Sequence, residues 1–313
     1  PIIGNYFRNS AQSATVLDFL SNREERQNHA HQSIHTAISR YNVKAVDTLI
    51  GDINPPKELM ETLTRRKIAE EEEKTYKIQA VLEAIGNARI ENYYHILNKQ
   101  LQSKNQFIQN VVPLKKGRNN MVGEAFTLRY IPAREDLNPI TVFQNPDHPQ
   151  RVAVEQCPEG AVLIIDSRKD ARAASAGSIL ITRLMKRGAA GIVTDGGFRD
   201  SKEIAALSFP AYHQKPSAPT NLTLHQAIDI NVPIGCGDVA VFPGDIIVGD
   251  DDGIIVIPAH IVNEVADECI TMTQFENYVI EKVNLGESII GLYPLTNENN
   301  KIDFEKWKII NRC

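Results

Sequence analysis

The stretch of this chain best equipped for chemistry is Asp166–Asp200, DSRKDARAASAGSILITRLMKRGAAGIVTDGGFRD. Ala176-Gly177-Ser178 stands at or near the opening of an apolar helix containing Ile179, Leu180, Leu184 and Met185. Glycine there lets a ligand come close to the backbone. The amides of Ser178, Ile179 and Leu180 then point at that ligand, and the helix dipole favours an anion. The plainer alternative is a helix packed tightly on a strand through Gly177. Further on, Asp195-Gly196-Gly197 makes a turn after a buried strand, and Phe198-Arg199-Asp200 follows it directly. Sites in open α/β sheets lie at such strand ends. Arg199 offers a planar fork that matches a carboxylate. Asp200 offers oxygen to a hard cation such as Mg²⁺. Two structural alternatives compete. Asp200-Ser201-Lys202-Glu203 also reads as a capping box, and Arg199 also suits a surface salt bridge.

These residues need an α/β frame. Strands are expected at Glu124–Tyr130, Ala161–Ile165, Gly191–Thr194, Pro210–Tyr212, Val239–Val241, Ile246–Gly249 and Ile254–Ile257. The last two flank Asp250-Asp251-Asp252-Gly253, a hairpin signal with a glycine available for positive φ. Helices are expected at Ala173–Arg187, Ser201–Leu207 and His260–Val283, the first ending in Lys186-Arg187-Gly188. Strands interspersed with helices define the α/β class. The N-terminal part differs in texture. It is polar and helical in style, with apolar spacing over Ser33–Tyr41 and a charged helix expected over Lys57–Gln79 after the break at Pro55-Pro56. Residues 1–79 are therefore read as a helical segment, and 80–313 as the α/β domain.

Composition narrows the field. A net charge of −5 argues against nucleic acid or anionic membrane as a partner. No apolar run reaches membrane-spanning length. The four cysteines form no C-x-x-C, which fits buried thiols in a reducing cytoplasm. Other candidates are weaker. Asp250–Asp252 reads as a solvated turn. His213 and His225 lack neighbours at ligand spacing. His31 and His35 stand at i,i+4 without an evident third ligand. Cys236 reads as a small buried residue, and Arg134 and Glu135 as loop residues lining the site or an interface.

Four segments together resemble the RraA family, which includes the class II 4-hydroxy-4-methyl-2-oxoglutarate aldolases. They are MVGEAFTLRYIPAREDL, GSILITRLMKRGAAGIVTDGGFRD, PIGCGDVAVFPGDIIVGDDDGIIVIP and GLYPL. The resemblance runs from about Ala80 to Trp307, with its landmarks in the family's order. Its specific part is a Gly-x-x-Leu helix start combined with G-x-x-x-x-G-G-x-R-D. The stretch YNVKAVDTLIGDINPPKELMETLTRRKIAEEEEKTYKIQ resembles the end of an SPFH (band 7) domain running into its stalk.

The RraA resemblance implies a compact α/β-β-α domain that assembles as a trimer or a hexamer, with active sites at the interfaces. It implies that Arg199 binds the pyruvyl part of a small 2-oxo acid and that Asp200 holds Mg²⁺ or Mn²⁺. The amides of Ile179 and Leu180, opened by Gly177, would take the substrate carboxylate. An acidic residue from the neighbouring subunit's C-terminal region would orient water on the metal; Glu276 is the candidate, with Glu268 behind it. One departure stands out. Aldolase members commonly carry Asp or Glu just after the helix-start glycine, and this chain has Ser178. A hydroxyl still binds water but brings no charge, leaving Asp166 or Asp170 as possible substitutes.

The expected reaction is retro-aldol cleavage of a 4-hydroxy-2-oxo acid or decarboxylation of oxaloacetate, both passing through a pyruvate enolate. A divalent cation chelated by the keto and carboxylate oxygens stabilises that enolate. Arg199 adds positive charge where negative charge develops. The competing chemistry, a Schiff-base lysine, needs a desolvated amine. Lys169, Lys186, Lys202 and Lys215 all stand in polar or helix-end contexts. The alternative function is a non-catalytic regulator, since some RraA proteins bind and inhibit RNase E. The N-terminal segment could also tether the domain to an assembly.

Overall fold

The computed structural model describes residues 23–39, 41, 44, 61–62, 64–66, 79–88, 93, 96–97, 106–117 and 120–311. Backbone contacts divide the chain into two units, Pro1–Thr75 and Tyr76–Cys313. In the first, helix α1 spans Arg23–Ser39, longer than the apolar spacing around Ser33–Tyr41 suggests. The charged helix expected over Lys57–Gln79 lies largely outside the described residues.

In the second unit the strands are β1 (Val112–Pro113), β2 (Met121–Pro132), β3 (Val162–Asp166), β4 (Ala174–Ala176), β5 (Gly191–Thr194), β6 (Gly197–Phe198) and β7 (Ala211–His213). They continue as β8 (Lys215–Pro216), β9 (His225–Ile230), β10 (Ile234–Cys236), β11 (Val239–Val241), β12 (Ile246–Gly249) and β13 (Ile254–Ile257). The helices are α2 (Pro149–Gln156), α3 (Ser178–Lys186), α4 (Ser201–Ala206), α5 (Val262–Asn284) and α6 (Glu298–Ile310).

The main sheet has the order β1-β7-β5-β3-β2-β12-β13, with β9 also paired to β2. Strands β2, β3, β5 and β7 run parallel, as βαβ crossovers require. Val162, Leu163, Ile164 and Ile165 in β3 are all buried, because this strand is covered on both faces. One face packs Leu128, Leu163, Ile165 and Ile192 on Ile181 and Leu184 of α3 and on Ala153 and Val154 of α2. The other packs Val162, Ile164 and Val193 on Ile234, Val241, Ile247 and Ile254 of the β10–β13 hairpins. The outer face of β12 and β13 is closed by Val265, Ala266 and Cys269 of α5. The layer order is therefore α/β-β-α, as expected. At the C-terminus α6 folds back on α5 through Tyr278, Val279, Phe304 and Trp307.

Two sequence expectations are corrected. The helix expected from Ala173 starts at Ser178, because Ala174–Ala176 form β4, paired in parallel with β6. Small residues with good helix propensity were overridden by tertiary pairing. The β12–β13 turn needs no positive-φ glycine at Gly253. Instead the Asp250 carboxylate accepts from the amides of Asp252 and Gly253, an Asx-type turn.

Candidate functional site

The site is assembled by a small second sheet. Strands β4, β6 and β8 run parallel in that order, and β6 carries the turn that follows β5. Beyond β6, the Arg199 amide donates to the Ala176 carbonyl at 3.0 Å. The start of α3 and the Arg199-Asp200 pair are thereby fixed side by side. Gly196 fits only because it has no side chain: a Cβ there would lie 2.7 Å from Ser167 Cβ and 2.8 Å from Ser175 Oγ.

Asp200 occupies the N-cap position of α4 but does not cap it. Its backbone is left-handed, with φ 61° and ψ 40°, and its side chain makes no cap hydrogen bond. Asp tolerates that conformation better than most residues. The carboxylate turns away from α4 toward α3. Ser178 donates to Asp200 Oδ2 twice, from its amide and its hydroxyl, each at 3.1 Å. The capping-box reading is thus corrected. Asp200 Oδ1 lies 3.7 Å from Arg199 Nε, the two side chains being 35% and 48% exposed. A contact this long and this wet stabilises little, so both groups remain available to a ligand.

Gly177 is the N-cap of α3, in extended backbone. The amides of Ile179 and Leu180 lie in the first turn, where no helical carbonyl precedes them. A Cβ on Gly177 would stand 2.9 Å from Asp200 Oδ2 and 3.4 Å from Arg199 Nε and Nη2. If this corner serves catalysis, Gly177→Ala should lower turnover by about 10–100-fold through displacement of the Asp200 carboxylate. The extended backbone accepts alanine, so the melting temperature should stay within a few degrees. Steady-state kinetics beside a thermal melt checks both halves.

Arg199, Gly177, Ile179 and Leu180 open onto one cavity of about 120 Å³, which Phe143, Arg151 and Asn221 also line. Gln150, one of its lining residues, ties it to a polar cluster. Gln150 Nε2 donates to the Ser175 carbonyl at 2.7 Å and to Tyr130 Oη at 3.1 Å, and Tyr130 Oη donates to the same carbonyl at 3.0 Å. Beneath lie the hydroxyls of Ser167, Ser175 and Thr194, within 3.1 Å of one another. Asp195 is buried and accepts from the amides of Ser167, Lys169 and Gly237. Burial pushes its carboxyl up to about 6.

His213 stacks on Phe198, the residue before Arg199, with ring centroids 5.5 Å apart. Its Nδ1 has no hydrogen-bond partner, and burial pushes its pKa down to about 4. A histidine held neutral stabilises the fold fully above its unfolded value, near 6.5, and loses that contribution as pH falls toward 4. Asp195 titrates in the same window with the opposite sign, since its folded value is raised. The comparison with His213→Phe removes that overlap. Between pH 7 and pH 4 the parent chain should lose about 3 kcal/mol more stability than the variant. Denaturant melts across that range read the difference directly.

Other candidates are placed elsewhere. Asp170 is held by Arg172, whose guanidinium keeps its carboxyl well below the usual range. Asp166 accepts from the Arg168 amide, and burial raises its carboxyl. Neither lines the Arg199 cavity, so the structure does not bring them to Ser178 as acidic substitutes. Lys169 pairs with Asp238, which raises its amine; a Schiff-base lysine would need it lowered. Glu276 is on α5, 8% exposed, partnered within its own chain and absent from the cavity lining. Glu268 lies two turns earlier on the same helix. Cys236 is buried, as expected. Sequence reasoning missed Gln150, Arg151, Asn221 and Phe143. Their only local signal was Pro149 at a helix start.

Asp200 is bonded to the helix opening, and among the described residues no group of three or more His, Cys, Asp or Glu is set to hold a metal. The donors therefore do not fit an all-protein cage. They do fit an ion of the Mg²⁺ type, which takes one or two carboxylates and fills its other positions with water and substrate oxygens. Among the same residues no helix is long and apolar enough to cross a membrane.

The fold and site define the class: an α/β-β-α domain whose α3 opening stands beside an Arg-Asp corner. Residues 79–256, more than half of the chain, match the RraA-like model described as Aldolase/RraA, and the chain belongs to that family. Residues 1–84 match the SPFH domain / Band 7 family model. A relative from Halalkalibacterium halodurans, named "Putative 4-hydroxy-4-methyl-2-oxoglutarate aldolase", is 39% identical over 106 residues, 34% of this chain and 50% of that protein. The chain spans about half the length of the first curated relatives it matches. Among solved structures, RraAS2 of Streptomyces coelicolor is described as an unusual member of the RNase ES inhibitor RraA protein family. It aligns with TM-score 0.56 and 25% identity over 63% of this chain and 94% of its own. An uncharacterized protein of Pseudomonas syringae pv. tomato aligns with TM-score 0.59 and 20% identity over 69% and 97%, a likeness of fold.

Proposed function

We propose that this protein is a divalent-metal-dependent carbon–carbon lyase acting on a small 2-oxo acid. The observation that carries the reading is that Arg199 and the α3 opening line one cavity while Ser178 holds the Asp200 carboxylate against that opening. The amides of Ile179 and Leu180 receive the substrate carboxylate at the positive end of α3. Arg199 places its guanidinium where the keto oxygen gains charge. Ser178 holds Asp200 in position through two hydrogen bonds, and Gly177 leaves room for the carboxylate. Mg²⁺ or Mn²⁺ at Asp200, when bound, supplies Lewis-acid charge to the substrate oxygens. The names of the aldolase relatives support the same chemistry.

The domain is taken to begin near residue 80, with residues 1–79 as a separate helical, SPFH-like segment. It works as a trimer or hexamer, and Ile179, 79% exposed at the mouth of the cavity, is a surface a second copy would cover. A cytoplasmic location follows from the proposed chemistry and the three buried free cysteines. The deciding experiment measures pyruvate release from oxaloacetate and from 4-hydroxy-4-methyl-2-oxoglutarate, with Mg²⁺ and with EDTA. Turnover of at least one substrate that EDTA abolishes is the expected result. No metal-dependent turnover of either would sink the lyase reading and favour a non-catalytic regulator of an RNase E-like enzyme, the reading toward which the likeness to RraAS2 points.

A further inference from the structure

Asp195 stands directly before the turn that leads to Arg199 and Asp200. It is only 1% exposed, and no step of the proposed reaction uses it. Its carboxylate ties two other segments to that turn. Oδ1 accepts from the Ser167 amide at 2.7 Å, and Oδ2 accepts from the amides of Lys169 and Gly237, each at 3.1 Å. Ser167 and Lys169 belong to the loop that leaves β3, and Gly237 lies between β10 and β11. The loop is strained. Arg168 and Lys169 are consecutive and both left-handed, at φ 59° and 56°. That conformation is costly for residues with long side chains and persists only where the surroundings over-determine it. Asp166 and the Leu224 carbonyl hold Arg168, while the Lys169 amide goes to Asp195. The same loop is the wall on which the turn rests. A Cβ on Gly196 would lie 2.7 Å from Ser167 Cβ, and one on Gly197 would lie 3.3 Å from the Ala171 carbonyl oxygen.

We propose that Asp195 is a positioning residue: by pinning the strained loop after β3 it fixes the Gly196-Gly197 turn, and through that turn the Arg199-Asp200 corner. Its service to catalysis rests on the lyase reading; its hold on the corner does not. The tie depends on charge. Amide N–H groups face both carboxylate oxygens, so a side-chain amide in place of the carboxylate sets donor against donor whichever way it turns. Once the tie is lost the left-handed pair relaxes, the wall moves, and Arg199 loses its fixed place beside the α3 opening. Displacing a reacting group lowers turnover more than binding. The amides of Ile179 and Leu180 belong to α3, outside the pinned loop, so substrate affinity is largely kept.

The test uses the full-length chain. Hydrogen exchange followed by mass spectrometry should show Asp195→Asn losing protection about tenfold over residues 167–170 and also over 196–200. The second loss is the telling one, because the Arg199 amide is bonded to the Ala176 carbonyl and not to Asp195. Ile247→Ala, a truncation in the core of β12, is the control: it destabilises the whole fold and should not single out these two segments. Lys169→Gly is the rescue. Glycine takes the left-handed backbone without a side-chain penalty, and the exposed bridge from Lys169 to Asp238 stabilises little. Added to Asp195→Asn, it should restore part of the protection in both segments. In the lyase assay Asp195→Asn should lower kcat about tenfold with KM within about threefold, and the double variant should regain part of that rate. Unchanged protection over 196–200 in Asp195→Asn overturns the proposal, as does a kcat no lower than that of Ile247→Ala. Lys169→Gly alone guards against an Asp195 variant that does not fold: protection should rise over 167–170 and over 196–200 together, and a rise confined to the loop also overturns the proposal. The two readings fail separately. Coupled loss of protection in a chain that releases no pyruvate removes the lyase and leaves the tie; turnover with Arg199 indifferent to Asp195 does the reverse.

Discussion

Asp200→Asn should lower metal-dependent pyruvate release by about 10³-fold or more, because it removes the carboxylate charge held at the α3 opening. The substitution is unusually clean. Asn accepts the left-handed backbone that Asp200 adopts, and its amide oxygen can still receive the Ser178 amide and hydroxyl. Shape and backbone are conserved, and only the charge is lost. The defect should therefore appear in a Mg²⁺ titration, as a steep rise in the concentration needed for half-maximal rate, with little change in melting temperature. A variant that keeps more than a tenth of parental turnover at unchanged Mg²⁺ dependence would show that Asp200 is not the metal's anchor.

Arg199→Ala should lower kcat/KM by about 10²–10³-fold, the usual loss when one donor to a developing oxyanion is removed. The backbone bond from the Arg199 amide to Ala176 survives the change, so the corner keeps its form. The side chain is half-exposed and its contact with Asp200 is 3.7 Å long, so stability should hardly move. Arg199→Lys should recover only part of the rate, since an ammonium is a point charge without the planar fork. Full recovery by lysine would mean that charge alone suffices and that paired hydrogen bonding plays no role.

How far the sequence revealed this arrangement depends on how local each signal is. The core strands were legible because Val162–Ile165, Ile246–Gly249 and Ile254–Ile257 are continuous apolar runs bounded by turn residues. The start of α3 was blurred: Ala173, Ala174, Ser175 and Ala176 have nothing against helix except a partner strand more than twenty residues away. Strand β9 was missed for a related reason. HQAIDI is half polar, and it is a strand because β2 continues past β12 and offers an unpaired edge there. At the site, Gly177, Ser178, Arg199 and Asp200 announced themselves as two short motifs on neighbouring elements. Arg151 and Asn221 lie about 50 and 20 residues from that pair and carry no motif. Only the folding of α2 and of the turn after β8 brings them to the cavity. Ser178 was noted for what it lacks; its actual partner is the Asp200 carboxylate itself.

The short sheet of β4, β6 and β8 ties the opening of α3 to the Arg-Asp corner through main-chain bonds, whereas Phe143 and Arg151 arrive from a separate turn and from α2. The two sides of the cavity lining are thus encoded in different parts of the chain. Phe143 or Arg151 can be exchanged without touching the main-chain bonds that hold the Arg-Asp corner.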